Sequence, residues 1–140
     1  MIVKVKKMKP EAELPVYAHP GDAGLDLRAA EEVVAEPKAK VQVPTGIAFC
    51  LPDGYVGLIW DKSGLSHKYG LKTVGGVIDA SYRGEVKVGI VNLSDQPFTF
   101  RIGDKVAQIL IQPVVRAELE EVSHLKETKR GKDGFGSTGR

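Results

Sequence analysis

An acidic residue stands inside an apolar stretch near the start of the chain. Asp26 lies between Leu25 and Leu27 in the segment DAGLDLRAA. A carboxylate in such a strand must find a charged or hydrogen-bonding partner, because burying it alone is costly. A structural ion pair or a backbone cap would be sufficient to explain it.

A second stretch combines a cation, a hydroxyl group and a glycine. Lys62, Ser63 and Gly64 are adjacent in DKSGLSHKYG. Positive charge, an O–H donor and accessible backbone N–H groups together suit a phosphate oxygen. An ordinary polar turn has the same composition, so this motif alone is weak evidence.

A third stretch, GVIDASYRGEVKVGIVN, has the pattern of a hydrophobic hairpin with an acid at its mouth. Asp79 follows Val77 and Ile78, and Tyr82 follows at the turn. In a fourth stretch, FRIGDKVAQ, Gln108 enters an apolar strand after a charged turn. A plain β-turn would explain the fourth stretch equally well.

The C-terminal stretch ETKRGKDGFGSTGR is rich in glycine and charge and contains one aromatic residue, Phe135. It has too little apolar surface to order by itself. Simple disorder explains it, and so does a segment that orders over a ligand, with glycines allowing close backbone approach. The composition leaves both interpretations open.

The elements that must position these residues are short strands. Glycine (16) and proline (8) interrupt the chain often, and β-branched runs lie between them. Alternation at Val86, Val88 and Ile90 predicts one buried face. The segment before Gly70 allows only a short helical turn. The pattern predicts an all-β fold, a sandwich, jelly roll or barrel, with one domain over residues 1–128 and a flexible segment over 129–140.

Composition narrows the functional classes. A net charge of +2 over 140 residues does not indicate a strongly basic nucleic-acid binder. The N-terminus lacks the apolar region of a signal peptide, and no apolar run is long enough to span a membrane. A single cysteine, Cys50, fits a reducing compartment. We therefore expect a cytoplasmic protein that binds neither membrane nor nucleic acid.

Taken together and in order, five motifs resemble those of the trimeric deoxyuridine triphosphatase (dUTPase) family. They are AGLDLRA, DKSGLSHKYGL, GGVIDASYRGEV, RIGDKVAQ and RGKDGFGSTG, spanning Ala23 to Gly139. The resemblance implies a distorted jelly-roll-like β fold and a homotrimer with shared active sites. It also implies Mg²⁺-dependent hydrolysis of dUTP to dUMP and pyrophosphate, which removes dUTP from the nucleotide pool and supplies dUMP for thymidylate synthesis.

The resemblance assigns the chemistry to Asp79, which would orient and deprotonate the water that attacks the α-phosphorus. We expect a rigid hairpin to hold this carboxylate, with partial burial raising its basicity. The same hairpin would bind uracil through backbone groups, and Tyr82 would pack on the deoxyribose. The nucleoside-binding residues implied are Thr73, Val74, Val77, Ile78, Asp79, Tyr82 and Lys87.

The resemblance places the triphosphate on Lys62, Ser63, Gly64 and Gln108. Asp26 would contact the metal through water, and substrate phosphates would hold most of the Mg²⁺. The tail would close as a lid over the ligand. The lid residues implied are Arg130, Phe135, Gly136, Ser137 and Thr138.

Three positions depart from the family pattern. Lys62 stands where arginine is usual, Ser81 where many members have a second acid, and Asp133 where glycine is common. A lysine keeps the charge but loses the planar fork of a guanidinium.

Three other functions share the implied fold. A dCTP deaminase, or a bifunctional deaminase and dUTPase, would need a glutamate near the base, and Glu85 is the best candidate. A nucleotide sensor without activity, or a structural trimer with a nucleic-acid-binding tail, are further alternatives.

Overall fold

The computed structural model describes residues 1–132 and 134. This part of the chain contains eleven strands and one helix. They are β1 (Lys4–Lys7), β2 (Leu25–Arg28), β3 (Val33–Ala35), β4 (Lys40–Pro44), β5 (Ile47–Cys50), β6 (Tyr55–Trp60), α1 (Ser63–Tyr69), β7 (Leu71–Val74), β8 (Val77–Ile78), β9 (Lys87–Asn92), β10 (Phe98–Phe100) and β11 (Lys105–Pro113). The predicted all-β class is confirmed.

Four antiparallel sheets form the described fold. The largest has the strand order β2-β11-β6-β8, and a three-stranded sheet has the order β4-β9-β7. Two pairs, β1-β5 and β3-β10, complete the arrangement. Neighbours in a sheet are often distant in sequence, so long-range pairing determines which side chains meet.

The core follows the alternation seen in the sequence. Val88 and Ile90 of β9, with Val86 just before it, are at most 1% exposed, which confirms the predicted buried face. They belong to one apolar cluster with Leu27 and Ile109 of the largest sheet. Side chains that alternate along a strand point to opposite faces, so every second residue reaches this core.

The predicted hairpin around Asp79 is wrong, because its arms belong to different sheets. β7 pairs with β9, with Val74 opposite Gly89. β8 instead pairs with β6, with Val77 opposite Leu58. The chain crosses between the sheets at Gly75 and Gly76, whose φ angles are 73° and 110°. These backbone conformations suit glycine, which has no Cβ.

Beyond β11 the chain leaves the packed strands. Residues 114–132 contain neither helix nor strand, and their side chains are exposed. The predicted boundary between a domain of residues 1–128 and a lid of 129–140 stays a prediction.

The helix α1, the one helix in the described residues, lacks the length and apolar character needed to cross a membrane.

Candidate active site

Strand pairing places two predicted site residues, Gln108 and Asp26, in one row with Trp60, which lies two residues before Lys62. β11 lies between β2 and β6, with Gln108 opposite Asp26 on one side and opposite Trp60 on the other. Gly24 packs against the Gln108 side chain so closely that a Cβ there would lie 2.5 Å from Oε1. The Gln108 amide is therefore confined, and its Nε2 donates to the carbonyl of Asp61 at 2.9 Å.

Asp26 is buried and paired with two lysines. Its side chain is 3% exposed, Lys62 Nζ donates to Oδ1, and Lys105 Nζ lies 2.7 Å from Oδ2. Burial alone would raise the pKa of Asp26, but the hydrogen bonds and charges of Lys105 and Lys62 hold it below its ordinary value. The sequence-based expectation that this carboxylate needs a partner is confirmed.

The predicted phosphate segment begins the only helix in the described part of the chain. Lys62 caps α1 in an extended conformation, and the exposed Ser63 and Gly64 form its first residues. The helix ends after seven residues at Gly70, which is left-handed with φ 68°. The short helical turn predicted before Gly70 is confirmed. The first-turn N–H groups of a helix have no partner within it, so they are available to other acceptors.

Asp61 connects this segment to β7, and sequence reasoning assigned it no role. Its Oδ1 accepts hydrogen bonds from Thr73 N and Thr73 Oγ1, both at 2.7 Å, and its Oδ2 is ion-paired with Lys72. Burial would raise the pKa of Asp61, but the contacts with Lys72 and Thr73 lower it. The only signal in the sequence was an acid directly before Lys62.

A cavity of about 550 Å³ opens beside Asp79. It brings together five of the predicted site residues, Val77, Ile78, Asp79, Tyr82 and Lys87, with Gln42, Glu85 and Val86. An adjoining cavity of about 450 Å³ shares Gln42 and Lys87 and extends to Val74. Thr73 lines a third, smaller cavity with Val77.

The expected partial burial of Asp79 is wrong for the single chain, since Asp79 is exposed at the mouth of the cavity. It directly follows β8, which lies at the edge of its sheet, so few atoms cover it. Its backbone carbonyl accepts a hydrogen bond from Tyr82 N at 3.0 Å. Tyr82 is also 44% exposed, and its hydroxyl donates to the carbonyl of Glu85 at 3.0 Å. Both side chains therefore face the space that a ligand would fill.

Glu85 lines the same cavity, but its carboxylate is already engaged. Oε1 accepts from Gly46 N at 2.8 Å and lies 3.7 Å from Lys9 Nζ. These contacts give Glu85 a structural role in joining two loops. They count against Glu85 as the catalytic glutamate of a deaminase.

The predicted lid lies mostly outside the described residues. Arg130 belongs to a turn over residues 129–132, in which Gly131 N donates to the carbonyl of Thr128 at 3.0 Å. Phe135, Gly136, Ser137 and Thr138 lie outside the described part of the chain, as does Asp133.

Comparison with known proteins identifies the family to which this fold and these motifs belong. The dUTPase family model matches residues 10–139. This chain belongs to the dUTPase family. Its curated relatives include the deoxyuridine 5'-triphosphate nucleotidohydrolase of Thermobifida fusca, 48% identical over 98% of this chain and 78% of the relative. The corresponding Clostridium kluyveri protein is 44% identical over 99% of each chain.

Solved dUTPase structures confirm the predicted jelly-roll-like β fold. A mutant dUTPase of Staphylococcus bacteriophage 80alpha with dUpNHpp is 31% identical, with a TM-score of 0.94 and 99% of both chains covered. A dUTPase mutant from phage phi11 of S. aureus is 32% identical, with a TM-score of 0.83 over 89% of this chain and 98% of that one. The phi11 structure shows the coordination of a structural Mg(II) ion. These relatives favour a dUTPase over a dCTP deaminase.

Proposed function

We propose that this chain hydrolyses dUTP to dUMP and pyrophosphate by attack of water on the α-phosphorus, with Asp79 as the general base. Membership in the dUTPase family supports the reaction, and so do the relatives named deoxyuridine 5'-triphosphate nucleotidohydrolase. The reaction removes dUTP from the nucleotide pool and supplies dUMP for thymidylate synthesis.

The position of Asp79 at the mouth of the cavity is the observation that best supports its role. The cavity has the volume of a small-molecule site, and the segment just before Asp79 forms one of its walls. An exposed carboxylate at this edge can contact a water molecule while a nucleoside fills the space behind it. The carboxylate would accept a proton from that water as the water attacks phosphorus.

Nucleoside selection would rest on backbone groups of Val74, Val77 and Ile78, which line the two adjoining cavities. Thr73 would contribute from the end of the same wall. Tyr82 would pack against the deoxyribose, where a 2′-hydroxyl would collide with its ring. Lys87 lines both cavities and can reach a bound nucleotide from either side.

The triphosphate would bind Lys62, Ser63 and Gly64 at the start of α1. Lys62 supplies positive charge, Ser63 a hydroxyl donor, and the first turn its backbone N–H groups. Gln108 would contribute its amide from β11. Phosphoryl transfer depends mainly on positioning and charge neutralisation, which these groups can provide.

The described residues fit Mg²⁺ only if substrate phosphates provide most of its ligands. No group of three His, Cys, Asp or Glu side chains within residues 1–132 and 134 could hold a metal ion. Both carboxylate oxygens of Asp26 face lysine ammonium groups, so Asp26 would reach the ion only through water. When bound, Mg²⁺ would neutralise phosphate charge.

We further propose a homotrimer with shared active sites, closed by the lid residues Arg130, Phe135, Gly136, Ser137 and Thr138. The exposed segment after β11 supports an assembly, because Val115, Leu119 and Leu125 are each at least 86% exposed. Apolar side chains in such a segment gain stability by packing on another subunit. Cys50, with no cysteine partner, fits a cytoplasmic location.

The substrate can be tested with the purified protein and Mg²⁺ against dUTP, dCTP, dTTP and UTP. Release of pyrophosphate and dUMP from dUTP alone is the expected result. Deamination of dCTP would contradict the proposal in favour of a deaminase. If none of the four nucleotides reacts, the hydrolase function is refuted and a binding role remains.

A further inference from the structure

Asp61 lies where three parts of the site meet. It directly follows β6 and directly precedes Lys62, the first residue of the proposed triphosphate segment. Its carboxylate binds Thr73 of β7, and its carbonyl accepts the amide of Gln108. A single residue therefore contacts the nucleoside wall and the fourth motif, and is bonded to the phosphate segment.

The contact with Thr73 joins an edge strand of one sheet to the end of an interior strand of another. β7 is the edge strand of the three-stranded sheet, and β6 belongs to the four-stranded one. An edge strand leaves backbone groups without a ladder partner. Asp61 Oδ1 accepts the Thr73 N–H and, at the same distance of 2.7 Å, the Thr73 hydroxyl group. Asp61 thus takes the place of a neighbouring strand at this point.

The Asp61 carboxylate is held in position by several contacts. The Asp61 side chain is 21% exposed and accepts two hydrogen bonds on one oxygen, while Lys72 neutralises the other. Hydrogen bonds to a charged group are shorter and stronger than those between neutral groups. An ordinary surface ion pair would lack the two contacts with Thr73.

We propose that Asp61 is a positioning residue that sets the spacing between the triphosphate segment Lys62–Gly64 and the nucleoside wall. Asp61 need not touch the substrate, since it acts through Thr73 and Gln108. The inference rests on the proposed function, because it assigns the two regions to the two halves of one nucleotide. It adds a residue for which neither the motif analysis nor the family resemblance supplied a role.

A ligand that spans both regions distinguishes positioning from simple loss of structure. The non-hydrolysable analogue dUpNHpp occupies both halves, whereas dUMP lacks the β- and γ-phosphates and tripolyphosphate lacks the nucleoside. If Asp61 sets the spacing, its loss should weaken binding of the spanning ligand more than binding of either fragment. Two groups joined in one ligand bind well only when their two sites are correctly spaced.

The experiment measures binding of dUpNHpp, dUMP and tripolyphosphate, each with Mg²⁺, by calorimetry. For Asp61→Ala we expect about a tenfold loss for dUpNHpp and a change of less than about twofold for each fragment, a size typical of coupled residues. Asp61→Asn keeps the Oδ1 acceptor, so it should recover most of the affinity. Asp53→Ala, at the other end of β6, removes an exposed carboxylate and is the matched control.

Equal losses for all three ligands, or no loss for dUpNHpp, would overturn the positioning role. If Asp61→Ala does not fold, Thr73→Val replaces it, since this change removes only the Oγ1 hydrogen bond. It should cost about threefold for dUpNHpp and leave binding of dUMP and of tripolyphosphate unchanged. No loss for dUpNHpp, or an equal loss for dUMP, would again overturn the role. Wild-type turnover of dUTP is measured first. Its absence would refute the proposed function and this role with it, whereas a normal wild type with unaffected variants would refute only the role of Asp61.

Discussion

The proposed phosphate-binding side and the proposed nucleoside-binding side of the site are held in place by different interactions. On the phosphate side, polar groups are already paired: Asp26 with Lys62 and Lys105, and Asp61 with Thr73 and Lys72. On the nucleoside side, the wall is formed by backbone pairing and a glycine crossover, and the side chains of Val77 and Asp79 are exposed. Val77 there is 67% exposed.

This difference implies that triphosphate binding and nucleoside selection would depend on different kinds of interaction. In the proposed binding mode, a triphosphate would compete with Asp26 for Lys62, and Lys105 would still neutralise Asp26 when Lys62 contacts phosphate. On the proposed nucleoside side Asp79 and Val77 are exposed, so selectivity there would depend on backbone shape. For ligand binding, changes of charge should therefore act mainly on the phosphate side, and changes of backbone conformation mainly on the nucleoside side.

The largest effect is expected for the exposed acid on the nucleoside side. Asp79→Asn keeps the size and one acceptor oxygen but removes the base, so kcat should fall by about 10²- to 10⁴-fold. Binding of dUpNHpp should change by less than about threefold, because only the proton acceptor is lost. Steady-state kinetics and calorimetry check both values. A variant with unchanged kcat would exclude Asp79 as the base.

Removing a carboxylate should destabilise the fold more on the phosphate side than on the nucleoside side, which is the reverse of the order expected for activity. Asp26→Ala leaves two lysines facing a buried space, and we expect a loss of about 2–3 kcal/mol in the free energy of unfolding. This value is lower than for fully buried pairs, because the lysines can turn toward solvent. Asp79→Ala, the matched change at an exposed position, should cost less than about 0.5 kcal/mol. Urea denaturation measures both, and equal losses would contradict the comparison.

The glycine crossover allows a paired test of backbone shape. A Cβ at Gly76 would lie 3.0 Å from the carbonyl oxygen of Ile59, whereas one at Gly75 would meet nothing within 4 Å. Both have positive φ, so Gly75→Ala should cost about 1 kcal/mol and Gly76→Ala about 2 kcal/mol or more. Only Gly76→Ala should also weaken dUMP binding. Identical behaviour of the two variants would mean that the close contact with β6 is unimportant.

The smallest effect is the acid dependence of stability. The pKa values of Asp26 and Asp61 lie below their ordinary value of 3.8 in the folded chain. The unfolded chain therefore takes up protons first as pH falls. The stabilisation is complete at neutral pH, begins to decline below about pH 5, and is lost as pH falls through the folded pKa values.

Unfolding free energies measured between pH 7 and pH 3 test this sign. Asp26→Asn and Asp61→Asn should each show a shallower fall than the wild type, because one lowered pKa has been removed. Asp79→Asn serves as the control at an exposed carboxylate. Slopes that match the wild type in both test variants would show that these ion pairs do not couple folding to pH.

The local pattern of the sequence was sufficient for the class of the fold and for many element positions. Alternation placed Val86, Val88 and Ile90 in the core, and Gly70 marked the end of the short helix. The family resemblance named five of the eight residues that line the cavity beside Asp79. The inferences about the core and the helix used only neighbours in the chain, where side-chain period and turn chemistry are strong signals.

The sequence by itself determined which residues are apolar, which face of the strand with Val88 and Ile90 is buried, and which motifs are present. Tertiary structure alone decided that β7 joins β9 while β8 joins β6, that Lys105 and Lys62 share Asp26, and that Asp61 binds Thr73. The physical reason is that alternation specifies a face but not a partner. Partners are chosen by packing and hydrogen bonding between segments far apart in the chain.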